Sequence, residues 1–343
     1  MKGIMVGLGG RARSWIGVCN KNPDVELVGY VEPVAERRAE VAAQFNLPSQ
    51  QLFASMKDAV SAVEADFAVD VTPPKAHEAV AMEVFEAGLH LLGEKPLSDD
   101  FAAAKRIVAA SDAAGRTHMV TQNYRFGSQP RTTHRLLKEN LIGEPNQVTV
   151  GFYRAWATRP GTHYTTMPYP LITDMGIHHF DLLRYVLARE PVAVFARTWN
   201  PPWGFHAGDA GHTAIIDFEG ARHASPLLIA THHARGSSTG KQSPWNGEWR
   251  IEGPDGSLTW EENDIYWTRA YPSDRAHREA IPHDKLPLGG QDAILAEFLS
   301  AIKAGREPEC SGKDNLKSLA IVFAAIQSAK EKRTVEIAEV MGH

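Results

Sequence analysis

Cysteine is nearly absent from this sequence, since Cys19 and Cys310 are the only two among 343 residues. Two widely separated cysteines do not make the disulfide framework of a small secreted protein, so we expect a reduced, cytoplasmic setting. No apolar run approaches the roughly 20 residues that a membrane span needs, so no membrane partner is expected. The opening segment MKGIMVGLGG reaches its glycines too early to be a signal peptide.

An excess of positive charge is also missing. The formal net charge is −5 and the isoelectric point is about 6.3. Nucleic-acid binding needs a cationic face, so no nucleic-acid partner is expected. The hydrophobic fraction of 43% and the charged fraction of 22% are ordinary for a globular protein, and the length predicts two domains.

Short apolar runs and helical stretches alternate over the first 122 or so residues. The apolar runs and their ends read KGIMVGLGG, ELVGYVEP, ADFAVDVTPP, LHLLGEKP and THMVTQNYRF. Strands that alternate with helices are typical of a doubly wound parallel sheet. We therefore predict an α/β domain with a doubly wound parallel sheet over residues 1–123.

The pattern changes after residue 123. Helical stretches are predicted at 131–141, 174–188, 291–304 and 314–331, and strand-like runs at 146–156, 192–199, 211–218, 226–234, 247–252 and 256–260. A series of strands with few helices predicts an α+β domain with a largely antiparallel open sheet. We assign residues 124–343 to this domain.

The glycine-rich segment GLGGRA joins the first strand to the first helix. A dinucleotide-binding turn needs a tight bend, close approach of the backbone to a pyrophosphate and a free helix N-terminus. A glycine pattern alone could be only a turn, but this one opens an alternating domain. The candidate cofactor-binding residues here are Gly7, Gly9, Gly10, Arg11 and Ala12.

Glu32 ends the second strand, where a carboxylate can accept hydrogen bonds from a ribose diol and repel a 2′-phosphate. This position favours NAD, although a surface glutamate is the alternative. Arg11, Arg37 and Arg38 are close enough in sequence to serve the phosphate of NADP, so NADP stays possible.

The third strand ends in Thr72, Pro73 and Pro74, and His77 follows. Open α/β sheets bind ligands at the carboxyl ends of their strands, so these residues are candidate cofactor contacts. His77 could lie near the cofactor or on the surface.

Glu94 and Lys95 end the fourth strand, directly before Pro96. Lys95 should point into the crevice that holds the nicotinamide and could exchange a proton with a substrate hydroxyl. Glu94 could pair with a neighbouring cation. A lysine at a strand end is ordinarily solvated, so the motif alone is weak.

The segment DMGIHHFD places Asp174, His178 and Asp181 at spacings i, i+4 and i+7, on one face of a helix. His179 leaves that face. These residues could bind a metal, cover a solvated helix or perform acid–base chemistry. A metal site needs three or four convergent ligands, so none is predicted. Histidine titrates near neutral pH, which favours acid–base chemistry, with Asp181 holding the helix in place.

The motifs GLGG, TPPKAH, EKP, NYRF and Asp-x-Gly-x-His occur in this order. The ordered set resembles the Gfo/Idh/MocA family of oxidoreductases. The resemblance covers about residues 1–190 and implies NAD(P)-dependent oxidation or reduction of a sugar, polyol or related small molecule. It also implies that residues 1–123 form a dinucleotide-binding Rossmann domain. Residues 124–343 would then bind substrate and build a homodimer or homotetramer through their sheet.

The resemblance assigns the catalytic roles to Lys95, Asp174 and His178. It adds Glu94, Lys95 and Asn123 to the cofactor-binding candidates. The candidate substrate contacts are Lys95, Tyr124, Arg125, Trp156, His163, Tyr164, Asp174 and His178.

The sequence also departs from the family's pattern. Many members carry a glycine-rich run before the Asp-x-Gly-x-His helix, where this chain has TTMPYPLIT, so no relative's substrate can be assumed. NAD-dependent glycoside cleavage, or a non-catalytic sugar or cofactor sensor on the same fold, stay open as alternatives.

Overall fold

A computed structural model describes residues 1–155, 165–220, 227–231, 240–269 and 277–342. The predicted substrate contacts Trp156, His163 and Tyr164 lie outside the described residues. Contacts between Cα atoms divide the chain into unit 1, Met1–Asn123 with Leu288–Leu316, and unit 2, Tyr124–Pro287 with Lys317–His343. The first division falls at the expected residue 123. We expected Leu288–Leu316 in the second domain, but it lies with the first.

The strands and helices are numbered in chain order within the described residues. The strands are β1 (Lys2–Val6), β2 (Glu26–Val31), β3 (Leu52–Phe53), β4 (Phe67–Asp70), β5 (His90–Gly93), β6 (His118–Val120), β7 (Gln147–Tyr153), β8 (Pro191–Trp199), β9 (Gly211–Phe218), β10 (Leu227–Thr231), β11 (Glu248–Gly253), β12 (Gly256–Glu261), β13 (Asp264–Arg269), β14 (Arg278–Ile281) and β15 (Val335–Glu336). The α-helices are α1 (Gly10–Lys21), α2 (Ala35–Phe45), α3 (Met56–Ala62), α4 (His77–Glu86), α5 (Phe101–Ala114), α6 (Ser128–Lys138), α7 (Ile177–Leu187), α8 (Gly290–Ala304), α9 (Gly312–Glu331) and α10 (Ile337–Met341).

Unit 1 contains a six-stranded parallel sheet in the order β3-β2-β1-β4-β5-β6. The predicted Rossmann sheet is therefore confirmed. The strands next to β1 are β2 and β4, so the order reverses there and the turns after β1 and β4 open at one edge. Doubly wound sheets bind ligands at such a switch point.

The helices of unit 1 begin and end at residues suited to those positions. The Asp100 side chain accepts a hydrogen bond from the Ala103 N–H at 2.7 Å and caps α5, which ends at Gly115 in the left-handed region at φ 60°. The returning segment supplies α8, whose Phe298 ring meets Phe67 edge to face with centroids 5.7 Å apart. Residues far apart in sequence thus share one core.

Unit 2 contains a nine-stranded sheet in the order β14-β13-β12-β11-β7-β10-β9-β8-β15. Its neighbours are antiparallel except β7 and β10, which run parallel, so the predicted largely antiparallel sheet is confirmed. Trp249 and Trp260 pack with ring centroids 4.5 Å apart, and the Trp260 indole donates to the Thr133 hydroxyl at 2.8 Å. That hydrogen bond ties α6 to the sheet.

The helix predicted over 174–188 has a different beginning. Residues Ile172–Gly176 form a π-helical turn, and the α-helical geometry of α7 starts only at Ile177. A π turn bonds each N–H to the carbonyl five residues back and occurs often at functional sites. Asp174 therefore lies in the π turn while His178 lies in α7, and the α-helical geometry expected at Asp174 is wrong.

Candidate active site

The glycine turn has the backbone that a pyrophosphate site needs. Gly7 lies at φ +85°, and a Cβ there would be 2.9 Å from Thr72 Cγ2, so only glycine fits. Gly9 is the N-cap of α1; no side chain caps the helix, and its first turn holds no acidic residue. A Cβ on Gly9 or Gly10 would meet only open space. The helix N-terminus is thus available to an anion.

Glu32 is buried beside this turn, with 4% of its surface exposed, so the surface alternative is wrong. One carboxylate oxygen accepts from the Leu8 N–H at 3.0 Å and the other from the Val34 N–H at 3.1 Å. The carboxylate has further lone pairs, which leaves capacity for a ribose hydroxyl. Glu32 therefore shapes the glycine turn as well as offering an acceptor.

The three arginines considered for a 2′-phosphate have different surroundings. Arg37 lies 3.4 Å from a Glu32 carboxylate oxygen and is half-exposed, and Arg38 donates to the Glu32 carbonyl. Both cations therefore lie at the end of β2. Arg11 instead pairs with Glu94, so it is engaged away from that position.

Glu94 is nearly saturated with hydrogen bonds. It accepts from Arg11 at 2.8 Å, from the Trp15 indole N–H at 2.8 Å and from the Lys95 backbone N–H at 3.3 Å. The predicted pairing of Glu94 with a neighbouring cation is confirmed. Arg11 and Trp15 belong to α1, the helix whose N-terminus is available to an anion. Their hydrogen bonds to Glu94 therefore hold the start of the Lys95 turn against this helix.

His77 is buried, so the alternative that it lies on the surface is wrong. Its Nε2 lies 2.9 Å from the Thr72 carbonyl oxygen, and its Nδ1 lies 3.0 Å from that of Pro96. Donation to both carbonyls at once requires a proton on each ring nitrogen. The ring joins the turns after β4 and β5, so it supports the loops that carry Pro73, Pro74 and Lys95.

Buried ionisable groups surround His77. Asp70 accepts from the Thr72 N–H and hydroxyl at 2.9 and 2.6 Å; burial raises the pKa of Asp70, while nearby His77 opposes the rise. Burial, with a smaller contribution from His77, lowers the pKa of His118 to about 3. These three residues and Glu94 line a small cavity behind the strand ends. Sequence reasoning missed Asp70 and His118 because both lie inside apolar strands.

Gln122 follows β6 and is 1% exposed. Neither atom of its amide has a hydrogen-bond partner among the described residues. A buried amide in this state costs stability unless another group satisfies it, which fits a ligand at the strand ends. Asn123 is half-buried beside it and opens the short 3₁₀ turn Asn123–Phe126. Gln122 directly precedes the NYRF motif, which is its only signal in the sequence.

In unit 2, His178 and Asp181 contact consecutive residues of that 3₁₀ turn. The His178 ring stacks on Tyr124 with centroids 4.2 Å apart and an interplanar angle of 14°. Asp181 accepts two hydrogen bonds from Arg125, both at 2.6 Å, and one from the Ser318 hydroxyl at 2.7 Å. Asp181 thus holds α7 in place, as predicted. Arg125 is committed to this buried ion pair, which favours a supporting role over contact with substrate.

His179 occupies another environment, as its position off the shared face predicted. It is fully buried, its Nε2 lies 3.0 Å from the Trp245 carbonyl oxygen, and its ring packs on Phe152 with centroids 4.7 Å apart. Burial lowers the pKa of His179 to about 4, and the hydrogen bond to Trp245 opposes this shift. His179 is therefore a neutral core residue near pH 7.

Asp174 is half-buried in the π turn. Across the described ranges, no group of three or more His, Cys, Asp or Glu side chains is arranged to hold a metal ion. No helix in the same ranges is long and apolar enough to cross a membrane.

Comparison with known proteins agrees with this architecture. Residues 1–122 match the model of an oxidoreductase family with an NAD-binding Rossmann fold, and residues 134–337 match the C-terminal α/β domain of the same family. The chain belongs to the Gfo/Idh/MocA oxidoreductase family. This membership confirms the resemblance and makes the chain an oxidoreductase with an NAD-binding Rossmann domain.

Named relatives extend over nearly the whole chain. D-apiose dehydrogenase of Paraburkholderia graminis is 26% identical over 361 residues, 98% of this chain and 89% of the relative. Inositol 2-dehydrogenase of Rhizobium meliloti is 27% identical and covers 92% and 93%. An Agrobacterium radiobacter oxidoreductase, solved with NAD+, L-tartaric acid and magnesium, has a TM-score of 0.87 at 21% identity and covers 99% of each chain. Sugar and polyol dehydrogenases are thus among the relatives of this protein.

Proposed function

We propose that this Gfo/Idh/MocA protein is an NAD-preferring enzyme that oxidises a secondary alcohol of a sugar or polyol, or reduces the matching ketone. The observation that carries the proposal is the Glu94 network. It joins the turn that bears Lys95 to the first turns of α1, whose N-terminus is open to a pyrophosphate. The buried amide of Gln122 at the end of β6 supports the same assignment.

Acid–base groups handle the hydroxyl proton in this proposal. Lys95 follows β5 and takes or returns the proton, and His178 shares this work, with Asp174 tuning it. The stack of His178 on Tyr124 orients the imidazole, and the buried Arg125–Asp181 pair holds α7 beneath it. A bound nicotinamide dinucleotide supplies the hydride acceptor or donor.

Glu32 supports a preference for NAD over NADP, because its buried carboxylate repels a 2′-phosphate. Glu32→Gln keeps an acceptor for the Leu8 N–H but removes the charge. We expect the ratio of NADP to NAD dissociation constants to fall by about tenfold, the effect of removing about 1.4 kcal/mol of discrimination. A wild-type protein that prefers NADP would overturn this assignment and direct attention to Arg37 and Arg38.

A panel of sugars and polyols, each incubated with NAD or NADP, tests the proposed activity. Turnover is read as absorbance of the reduced nicotinamide. At least one compound should produce NADH with a rate proportional to enzyme concentration. The named relatives are dehydrogenases, which favours a dehydrogenase over the glycoside-cleaving and sensor alternatives. Bound cofactor that cycles without net NADH would contradict the dehydrogenase proposal.

We also propose that the protein is a cytoplasmic homodimer or homotetramer. Ile215 of β9 and Trp199 of β8 lie on one face of the sheet and are 40% and 37% exposed, which supports a sheet-mediated contact. Both cysteines are buried and lie far apart in sequence, which supports a reducing compartment. Light scattering after size exclusion gives the subunit number.

A further inference from the structure

Arg154 follows β7 in unit 2 and has unusual surroundings for a half-buried cation. Its guanidinium lies over the Trp245 ring, 4.0 Å from the centroid, and its Nη1 donates to the Ser243 carbonyl oxygen. No carboxylate lies within ion-pair distance of it among the described residues. Two buried arginines of unit 2 do have carboxylate partners. Arg125 pairs with Asp181 at 2.6 Å, and Arg184 pairs with Glu190 at 2.9 Å.

The segments outside the described residues offer little compensation. Residues 156–164, 221–226 and 232–239 contain no Asp or Glu, and residues 270–276 contain only Asp274. Burial lowers the pKa of Arg154, and the nearby Tyr124 phenol opposes that shift in part. No acidic side chain of the described residues contributes to this shift. A half-buried cation without a counter-ion among the described residues is a candidate to meet an anion that is not part of the chain.

The position of Arg154 connects it to the proposed acid–base group. Tyr124, which influences the Arg154 guanidinium, stacks on the His178 ring. The Arg154 guanidinium lies over the Trp245 ring, and the Trp245 backbone carbonyl accepts a hydrogen bond from His179. The cation therefore belongs to the group of side chains that surrounds His178 and His179. Trp245 is also 44% exposed and offers an apolar surface to a sugar ring.

We propose that Arg154 binds a carboxylate of the substrate, so that the enzyme acts on sugar acids or carboxylated polyols in preference to neutral ones. The proposal rests on the proposed dehydrogenase function. With Nη1 committed to Ser243, the Nε–Nη2 edge carries two parallel N–H donors. Such a fork matches the two oxygens of a carboxylate. The indole beneath keeps the guanidinium plane fixed, which orients the acid relative to His178.

Matched pairs of compounds test the preference. The assays use the intact protein with NAD and compare D-gluconate with D-glucitol and D-galacturonate with D-galactose. For the wild type, kcat/KM should be at least tenfold higher for the acid of a productive pair. Arg154→Gln should lower kcat/KM for the acid by about 10- to 100-fold, as expected for a lost charge-assisted pair, and change the neutral partner less than threefold. Arg154→Lys should recover only part of the loss.

Arg269 provides the matched control, since its guanidinium also lies over an indole, 4.5 Å from the Trp267 centroid. Arg269→Gln should leave the acid preference unchanged. Thermal melts of all variants separate loss of recognition from loss of folding. A wild type that prefers the neutral compounds, or an Arg154→Gln variant that keeps the full acid preference, would overturn the proposal.

Two further arms keep the outcomes separate. Sugar phosphates are assayed beside the acids, and an Arg154-dependent preference for phosphate over carboxylate would overturn the carboxylate assignment. If no compound yields NADH, the proposed dehydrogenase function fails, and calorimetric titration with D-gluconate decides the Arg154 proposal. Binding to the wild type that Arg154→Gln weakens by tenfold or more would support it; equal binding or none would refute it.

Discussion

Glu94 in unit 1 and Arg154 in unit 2 are charged groups that the fold treats in opposite ways. Glu94 is 6% exposed and accepts hydrogen bonds from Arg11, Trp15 and the Lys95 N–H. Arg154 has one carbonyl partner and an aromatic ring beneath it. The chain itself satisfies Glu94, whereas Arg154 has no carboxylate partner among the described residues.

This difference separates a residue that the fold holds with its own hydrogen bonds from a residue that we propose to bind substrate. Unit 1 fixes its turns with internal hydrogen bonds, as Glu32 and His77 also do. In unit 2, the proposal for Arg154 assigns its remaining N–H donors to a particular class of substrate. Substitutions in unit 1 should therefore affect folding and all turnover, whereas Arg154 should affect the choice of substrate.

The largest effect is expected for Lys95→Ala. The Glu94 network holds the backbone before Lys95, so removal of the side chain should leave the turn intact and remove the proton group. Turnover should fall by about 10²–10⁴-fold, while NAD affinity changes little. Steady-state kinetics and NAD titration measure both. Lys75→Ala, an exposed lysine at the same sheet edge, is the control, and near-normal turnover of Lys95→Ala would refute the proton role.

The adjacent histidines of α7 sharpen the comparison inside unit 2. His178→Ala should lower turnover by about 10²-fold or more with a small change in stability. His179→Ala should instead open a cavity in the core and lower the free energy of unfolding by about 2–4 kcal/mol. Kinetics and urea unfolding of both variants check the assignment. If His179→Ala were the inactive but stable variant, the family alignment of this helix would be wrong.

A direct test of the contrast replaces each charge with its neutral analogue. Glu94→Gln should lower the free energy of unfolding by about 2 kcal/mol, because it weakens the four hydrogen bonds that the buried carboxylate accepts. Arg154→Gln should change stability by less than about 0.5 kcal/mol, since no carboxylate loses its partner. Urea unfolding at pH 7 measures both. Equal losses would mean that Arg154 is structural and that the contrast does not hold.

The smallest effect concerns acid stability. His212 is fully buried, and neither ring nitrogen has a hydrogen-bond partner among the described residues. Burial, with a minor contribution from His179, lowers the pKa of His212 from 6.5 to about 3. Below pH 6.5, His212 binds a proton in the unfolded chain but not in the folded one. The free energy of unfolding therefore falls as the pH drops from 6.5 towards 3.

His212→Leu should therefore reduce the loss of unfolding free energy between pH 7 and pH 5 by about 1–2 kcal/mol. At pH 7 the variant should be as stable as the wild type or more so, because an unsatisfied buried polar group is removed. Urea unfolding at both pH values measures this. An unchanged pH dependence would show that His212 takes up a proton in the folded state.

Local patterns predicted the parts of the site that one strand end or one turn determines. Gly7, Glu32 and Lys95 each follow an apolar strand, and parallel strands bring their carboxyl ends to one edge. Contacts between distant residues could not be read in this way. Glu94 and Arg11 are 83 positions apart, and nothing in the periodicity of either segment indicates their pairing.

Other differences have the same origin. The π turn Ile172–Gly176 has the composition of an ordinary helix start, so periodicity placed Asp174 in α-helical register. The strands β13 and β14 were missed because their half-exposed residues do not alternate clearly. No local sequence pattern indicated a binding role for Arg154, because its contact with the Trp245 ring joins residues that are 91 positions apart.

The return of Leu288–Leu316 to unit 1 has a consequence for biosynthesis. Chains emerge from the ribosome N-terminus first, and domains fold as units. Yet the Val120 N–H bonds to the Cys310 carbonyl at 2.8 Å, and Phe298 packs on Phe67. The nascent Rossmann sheet must therefore wait for nearly two hundred further residues before its β6 edge and core are covered. A ribosome that stalls before residue 288 would hold an open sheet edge, which is a template for aggregation and a target for chaperones.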